Sequence, residues 1–143
     1  MASERTITGA KVVLLTGGSG FLGRAIVNEI LEDDSPVQVG ELRVFDLYPL
    51  PIPEHKRVKL IQGDVRDKAS VLRGMEGCDW VIHLAAHLSF WEADNSLYRQ
   101  INVEGTRNLM ECALENRVLK VAHISAIVDF GLSADQPFNE NSD

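Results

Sequence analysis

Apolar positions along the chain change period repeatedly, and each change marks an element. Residues 11–16 (KVVLLT) make a short, valine- and leucine-rich apolar run with glycines after it, which predicts a buried parallel strand. From 21 to 31 the apolar positions Leu22, Ala25, Ile26, Ile30 and Leu31 recur at helical spacing, and Glu32-Asp33-Asp34-Ser35-Pro36 ends the helix. A second strand over 41–46 (ELRVFD) runs into Tyr48-Pro49-Leu50-Pro51-Ile52-Pro53, whose three prolines permit neither helix nor central strand and predict a loop. Strand 57–62 (RVKLIQ), helix 68–75 and strand 80–84 (WVIHL) follow. A long helix over 96–117 carries Ile101, Thr106, Leu109, Met110, Cys112 and Ala113 on or beside its apolar side, and 119–124 (LKVAHI) is a fifth strand.

Strands alternating with helices predict a parallel sheet, because parallel neighbours need crossovers and right-handed crossovers pack helices on both faces. The expected class is therefore α/β, a doubly wound parallel sheet of five strands in the order 3-2-1-4-5. At 143 residues, 45% hydrophobic and 24% charged, the chain suits one domain over 1–143 with a real core and excludes disorder, collagen and coiled coil. The polar tail 135–143 (DQPFNENSD) reads as loop. A formal charge of -7, from 14 basic and 21 acidic residues with no basic run, argues against nucleic acid as a partner. Cys78 and Cys112 lack any metal-ligand or CxxC spacing, which predicts reduced thiols in or near the core, no metal, and a reducing compartment. No apolar stretch has signal-peptide or membrane-span length, which predicts a cytoplasmic or cytosol-facing location.

Between the first strand and its helix stands Thr16-Gly17-Gly18-Ser19-Gly20-Phe21-Leu22-Gly23, with Gly17, Gly20 and Gly23 in a G-x-x-G-x-x-G array. Gly17 serves a sharp turn, Gly20 brings bare backbone against a pyrophosphate, and Gly23 lets the helix approach the sheet. The helix N-terminus at Phe21, Leu22 and Gly23 then faces the phosphates with free N–H groups and the positive end of its dipole. Asp46 closes the second strand 23 residues after Gly23, where a carboxylate accepts hydrogen bonds from the adenosine ribose hydroxyls. That carboxylate repels a 2′-phosphate, and neither Leu47 nor Tyr48 is an arginine that would receive one, so NAD is expected over NADP. The turn and the acid together predict a Rossmann-type, NAD-binding domain.

At these residues the chain resembles the extended short-chain dehydrogenase/reductase superfamily, most closely its 3β-hydroxysteroid dehydrogenase/isomerase branch. The resemblance rests on TGGSGFLG at 16–23, ELRVFD at 41–46, GDVRD at 63–67, VIHLAA at 81–86 and NVEGTRNLMECA at 102–113. It implies that Asp64 and Val65 hold adenine, although Asp64 also reads as a helix N-cap carboxylate. It implies that Ala85 and Ala86 are the small residues over which ribose and pyrophosphate pass, and that Asn102 braces the strands beneath the active site. His83 and His123 read as core histidines inside buried strands. His87, at the mouth beyond Ala86, is within reach of substrate or nicotinamide, with a non-contact role the stronger reading; Phe90 and Trp91 follow in the loop where the branch carries apolar residues near the substrate, and ordinary loop packing accounts for them at least as well.

In this family a tyrosine and a lysine four residues later do the acid/base work. Here Tyr48 is followed at that spacing by Ile52 and Tyr98 by Asn102, so no such pair is present and no catalytic residue is assigned. In Ser125-Ala126-Ile127-Val128-Asp129-Phe130-Gly131, Ser125 takes the first family serine position, counted as cofactor-facing, and Ala126 takes the second, which bonds the substrate oxygen. The chain is thus expected to be truncated before the C-terminal substrate lobe, with uncovered sheet surfaces that favour self-association or a dimer. The resemblance implies NAD(H) as cofactor and a steroid or other apolar alcohol as substrate of a secondary alcohol/ketone oxidoreductase, inactive as this portion. A non-catalytic NAD-binding or interaction module, and an extended-family epimerase or reductase with another substrate, stay open beside it.

Overall fold

A computed structural model describes residues 10–49, 55–88 and 96–125. Pro51, Pro53, Phe90, Trp91, Ala126 and the tail 135–143 lie outside the described residues. Five parallel strands, β1 (Lys11–Thr16), β2 (Val39–Asp46), β3 (Val58–Gln62), β4 (Trp80–His83) and β5 (Lys120–His123), form one sheet in the order β3-β2-β1-β4-β5. β1 is central because Val13, Leu14, Leu15 and Thr16 are all buried, so both of its faces need cover. That cover comes from α1 (Phe21–Leu31) on one face and from α2 (Lys68–Met75) with the long helix α3 (96–115) on the other.

Side-chain alternation along the strands sorts the core into two layers. Val13, Leu15, Leu42 and Val44 pack with Val27 and Ile30 of α1. Leu14, Phe45 and Val81 pack with Val71 and Met75 of α2 and Leu109, Cys112 and Ala113 of α3. Cys78 and Cys112 are buried free thiols in this second layer, and burial pushes the Cys78 thiol up to about 11.

Some expectations shift. The buried stripe of α1 is Gly23, Val27 and Ile30, while Leu22 and Ala25 face solvent, because Gly23 is the position pressed beneath the glycine turn. The long helix is not uniform: it is α-helical over Ser96–Tyr98, π-helical over Arg99–Gly105 and α-helical again over Thr106–Glu115. β5 is exposed at every residue, so His123 is no core histidine; it sits at the open edge of the sheet and stacks on His83 with ring centroids 5.1 Å apart. Among the described residues, no helix is long and apolar enough to cross a membrane.

Candidate functional site

Strand register brings Thr16 beside Phe45 and His83, and Asp46 beside Gln62, so the strands end together along one edge. The chain continues from β1 to neighbours on either side of it, and a crevice opens at that switch point, where ligands of open α/β sheets bind. The cleft holds about 500 Å³ and is lined by Gly17, Ser19, Gly20, Asp46, Tyr48, Asp64, Val65, Ala85 and Ala86, among others.

Gly17 has φ +69, a left-handed conformation that a side chain disfavours. A Cβ there would also stand 2.7 Å from the Ala85 amide nitrogen, so the turn lies directly on the backbone after β4. At Gly23 a Cβ would meet the Gly17 carbonyl oxygen at 2.5 Å, which is the close approach of helix to turn that the array implies. Gly20 differs: a Cβ there has only the Gly17 oxygen near it, at 3.2 Å, and the glycine is exposed on the cleft. The first helical hydrogen bond of α1 runs from Arg24 N–H to the Gly20 carbonyl. The amides of Phe21, Leu22 and Gly23 precede it, with no acidic residue in the first turn to compete for them. The Phe21 side chain is 96% exposed, so only its backbone faces this role.

Asp46 is held by two backbone donors, Ser19 N–H to Oδ2 at 3.1 Å and Tyr48 N–H to Oδ1 at 3.2 Å. Each oxygen keeps lone pairs for a further donor in the cleft. Asp64 faces the same cleft, gripped by the Arg66 guanidinium, with Nε 3.0 Å from Oδ1 and Nη2 2.5 Å from Oδ2, and by the Arg66 N–H. The guanidinium beside it holds the Asp64 carboxyl below the usual carboxylate value, against an opposing effect of burial. Asp64 is not a helix cap. Asp67, directly before Lys68, fills that position, accepting from Ala69 N–H at 3.0 Å; Asp64 lies three residues upstream of it.

Behind the cleft wall, His83 is fully buried between two hydroxyls, Nδ1 2.6 Å from Thr16 Oγ1 and Nε2 3.0 Å from Thr106 Oγ1. Burial, aided by His123, lowers the imidazole to about 4. Ala85 N–H donates to the same Thr16 hydroxyl at 3.3 Å. Asn102 lies outside the cleft, in the π-helical turn, and brackets the His87 backbone: its Oδ1 accepts from His87 N–H at 2.7 Å and its Nδ2 donates to the His87 carbonyl at 2.9 Å. His87 lines the cleft and packs edge-on against Tyr98. Ser125 is exposed just past β5 and does not line the cleft. Sequence reasoning missed Thr16 and Ser19; a polar residue ending an otherwise apolar strand was the available signal for Thr16.

Residues 14–142 match the model of the 3-beta hydroxysteroid dehydrogenase/isomerase family. The 3 beta-hydroxysteroid dehydrogenase type 7 of Homo sapiens is 36% identical over 122 residues, which cover 81% of this chain and 32% of that protein. A dTDP-D-glucose 4,6-dehydratase of Mus musculus is 34% identical over 144 aligned residues, covering 93% of this chain and 40% of that protein. Among solved structures, a dTDP-glucose 4,6-dehydratase from Streptomyces venezuelae with NAD bound matches with a TM-score of 0.84 at 30% identity, over 92% of this chain and 44% of that one. The chain spans less than half the length of each of these relatives.

Proposed function

Because the chain belongs to the 3-beta hydroxysteroid dehydrogenase/isomerase family, within the extended short-chain dehydrogenases/reductases, we propose that it is the NAD-binding portion of an oxidoreductase acting on a secondary alcohol or ketone of a steroid or similar apolar molecule. The observation that carries this reading is Asp46, oriented by two backbone N–H groups at the rim of a glycine turn. The residues fit a dinucleotide. Gly20 lines the cleft with bare backbone, the α1 amides supply an anion site without a lysine, and Ala85 and Ala86 keep the wall low. Asp46 binds the ribose diol and excludes a 2′-phosphate by charge; Asp64 and Val65 receive the adenine.

Bound NAD supplies the hydride acceptor. The described residues bind and orient it; Tyr48 and Tyr98 lack a lysine four residues on, so this chain brings no tyrosine–lysine pair of its own to proton transfer. The steroid is the substrate class that the family description supports, whereas relatives acting on nucleotide sugars share the same cofactor half. Calorimetric titration of the 143-residue chain tests the reading. NAD is expected to bind more tightly than NADP, and Asp46→Ala to weaken NAD by about tenfold, the loss of roughly one charge-assisted hydrogen bond, while erasing the preference. Equal affinities of the unaltered chain for the two dinucleotides would sink it.

A further inference from the structure

We propose that His83 is a positioning residue of the cleft, a neutral imidazole that ties β1 and β4 to α3 and thereby holds the Ala85 backbone against the glycine turn. The inference rests on the dinucleotide reading above for its consequence, and on the hydrogen bonds alone for its geometry.

Three elements meet at this ring. Thr16 ends β1, His83 ends β4, and Thr106 opens the last α-helical part of α3. A hydrogen-bonded chain Ala85, Thr16, His83, Thr106 runs through the ring: Ala85 N–H donates to the Thr16 hydroxyl, and each ring nitrogen shares a proton with one threonine hydroxyl, Nδ1 with Thr16 and Nε2 with Thr106. Because a hydroxyl both donates and accepts, either neutral tautomer makes both bonds. No described buried side-chain nitrogen or oxygen is left without a partner.

The chain ends where the cleft begins. Gly17 follows Thr16, and its α-carbon is so close to Ala85 that an added Cβ would lie 2.7 Å from the Ala85 nitrogen. A shift of Ala85 by a few tenths of an ångström therefore reaches both the glycine turn and the wall that Ala85 and Ala86 present to the cleft. At the other end, Gly105 precedes Thr106 and packs on Val65, a further cleft residue, where an added Cβ would stand 2.7 Å from Val65 Cγ2. The imidazole thus links three sides of one crevice. An apolar ring of the same size would fill the volume but fix none of these distances.

Thr106→Val removes one hydroxyl at nearly constant volume and lies outside the cleft lining; Thr106→Ser restores the hydroxyl. In the 143-residue chain, Thr106→Val is expected to speed hydrogen exchange at the Ala85 amide, read by NMR without any ligand, and to weaken NAD by about fivefold to tenfold, while Thr106→Ser returns both to the unaltered values. His83→Phe, which loses both bonds, is expected to reproduce the Thr106→Val effects at full folded population by circular dichroism. Unchanged Ala85 exchange in folded Thr106→Val overturns the proposal, whatever the affinity. If the unaltered chain binds no NAD, the dinucleotide reading fails, and the exchange result still decides the positioning role. If it binds NAD and folded Thr106→Val binds equally well, the positioning role fails alone.

Discussion

Gly17 and Gly77 both adopt left-handed backbone, at φ +69 and +71, yet they meet different surroundings. Around Gly77 a Cβ finds nothing within 4 Å, whereas at Gly17 it meets the Ala85 nitrogen, the Ala85 α-carbon and the Leu84 carbonyl carbon, all backbone atoms that cannot turn aside. Gly77→Ala should therefore cost about 1 kcal/mol, the conformational penalty alone, and Gly17→Ala roughly 3 kcal/mol or more, because strain and overlap add. Urea denaturation midpoints of the two variants check the contrast, and equal midpoints would remove the close approach from the account. At this scale the sequence was most legible where function follows from a local chain: Gly17, Gly20, Gly23 and Asp46 occupy the turn and strand end their spacing implies. It was silent where partners lie far apart in the chain. Nothing local to Thr16 names His83, 67 residues away, as its hydrogen-bond partner.

Among the elements, α2 shows why caps are harder to read than helices. Two aspartates, Asp64 and Asp67, stand before Lys68–Met75, and either type of residue caps well. Asp64 pairs with Arg66, and Asp67, adjacent to Lys68, accepts from Ala69 N–H. Asp67→Ala is expected to lower stability by about 1 kcal/mol without changing dinucleotide affinity. Thermal unfolding beside a calorimetric titration checks both halves, and a loss of affinity would move Asp67 into the site. The opposite end of α2 depends on tertiary structure: Arg43 of β2 donates to the Gly74 and Glu76 carbonyls at 2.9 and 2.7 Å. The π-helical Arg99–Gly105 was equally hidden, since over seven residues an apolar pattern does not separate a π turn from an α turn. It coincides with contacts made across the fold, the two hydrogen bonds of Asn102 to the His87 backbone and the seating of Gly105 on Val65.

For the whole molecule, the buried His83 couples folding to pH. Its imidazole lies near 4 in the folded protein against an ordinary 6.5, so between those values the unfolded chain binds the extra proton. Stability from this group is complete above about pH 6.5 and falls as pH drops toward 4, by on the order of 3 kcal/mol. Unfolding free energies from pH 7 to 4 should follow that slope, and His83→Phe should flatten it; an unchanged slope in the variant would assign the effect elsewhere. The sequence by itself determined the α/β class, the strand order and the glycine turn with its acid, because hydrophobic period, crossover handedness and backbone freedom act over short stretches of chain. The tertiary structure alone decided which face of α1 was buried and that His83 joined three elements. Those outcomes depend on which distant groups compete for one donor, one acceptor or one patch of surface, and that competition exists only once the chain is folded.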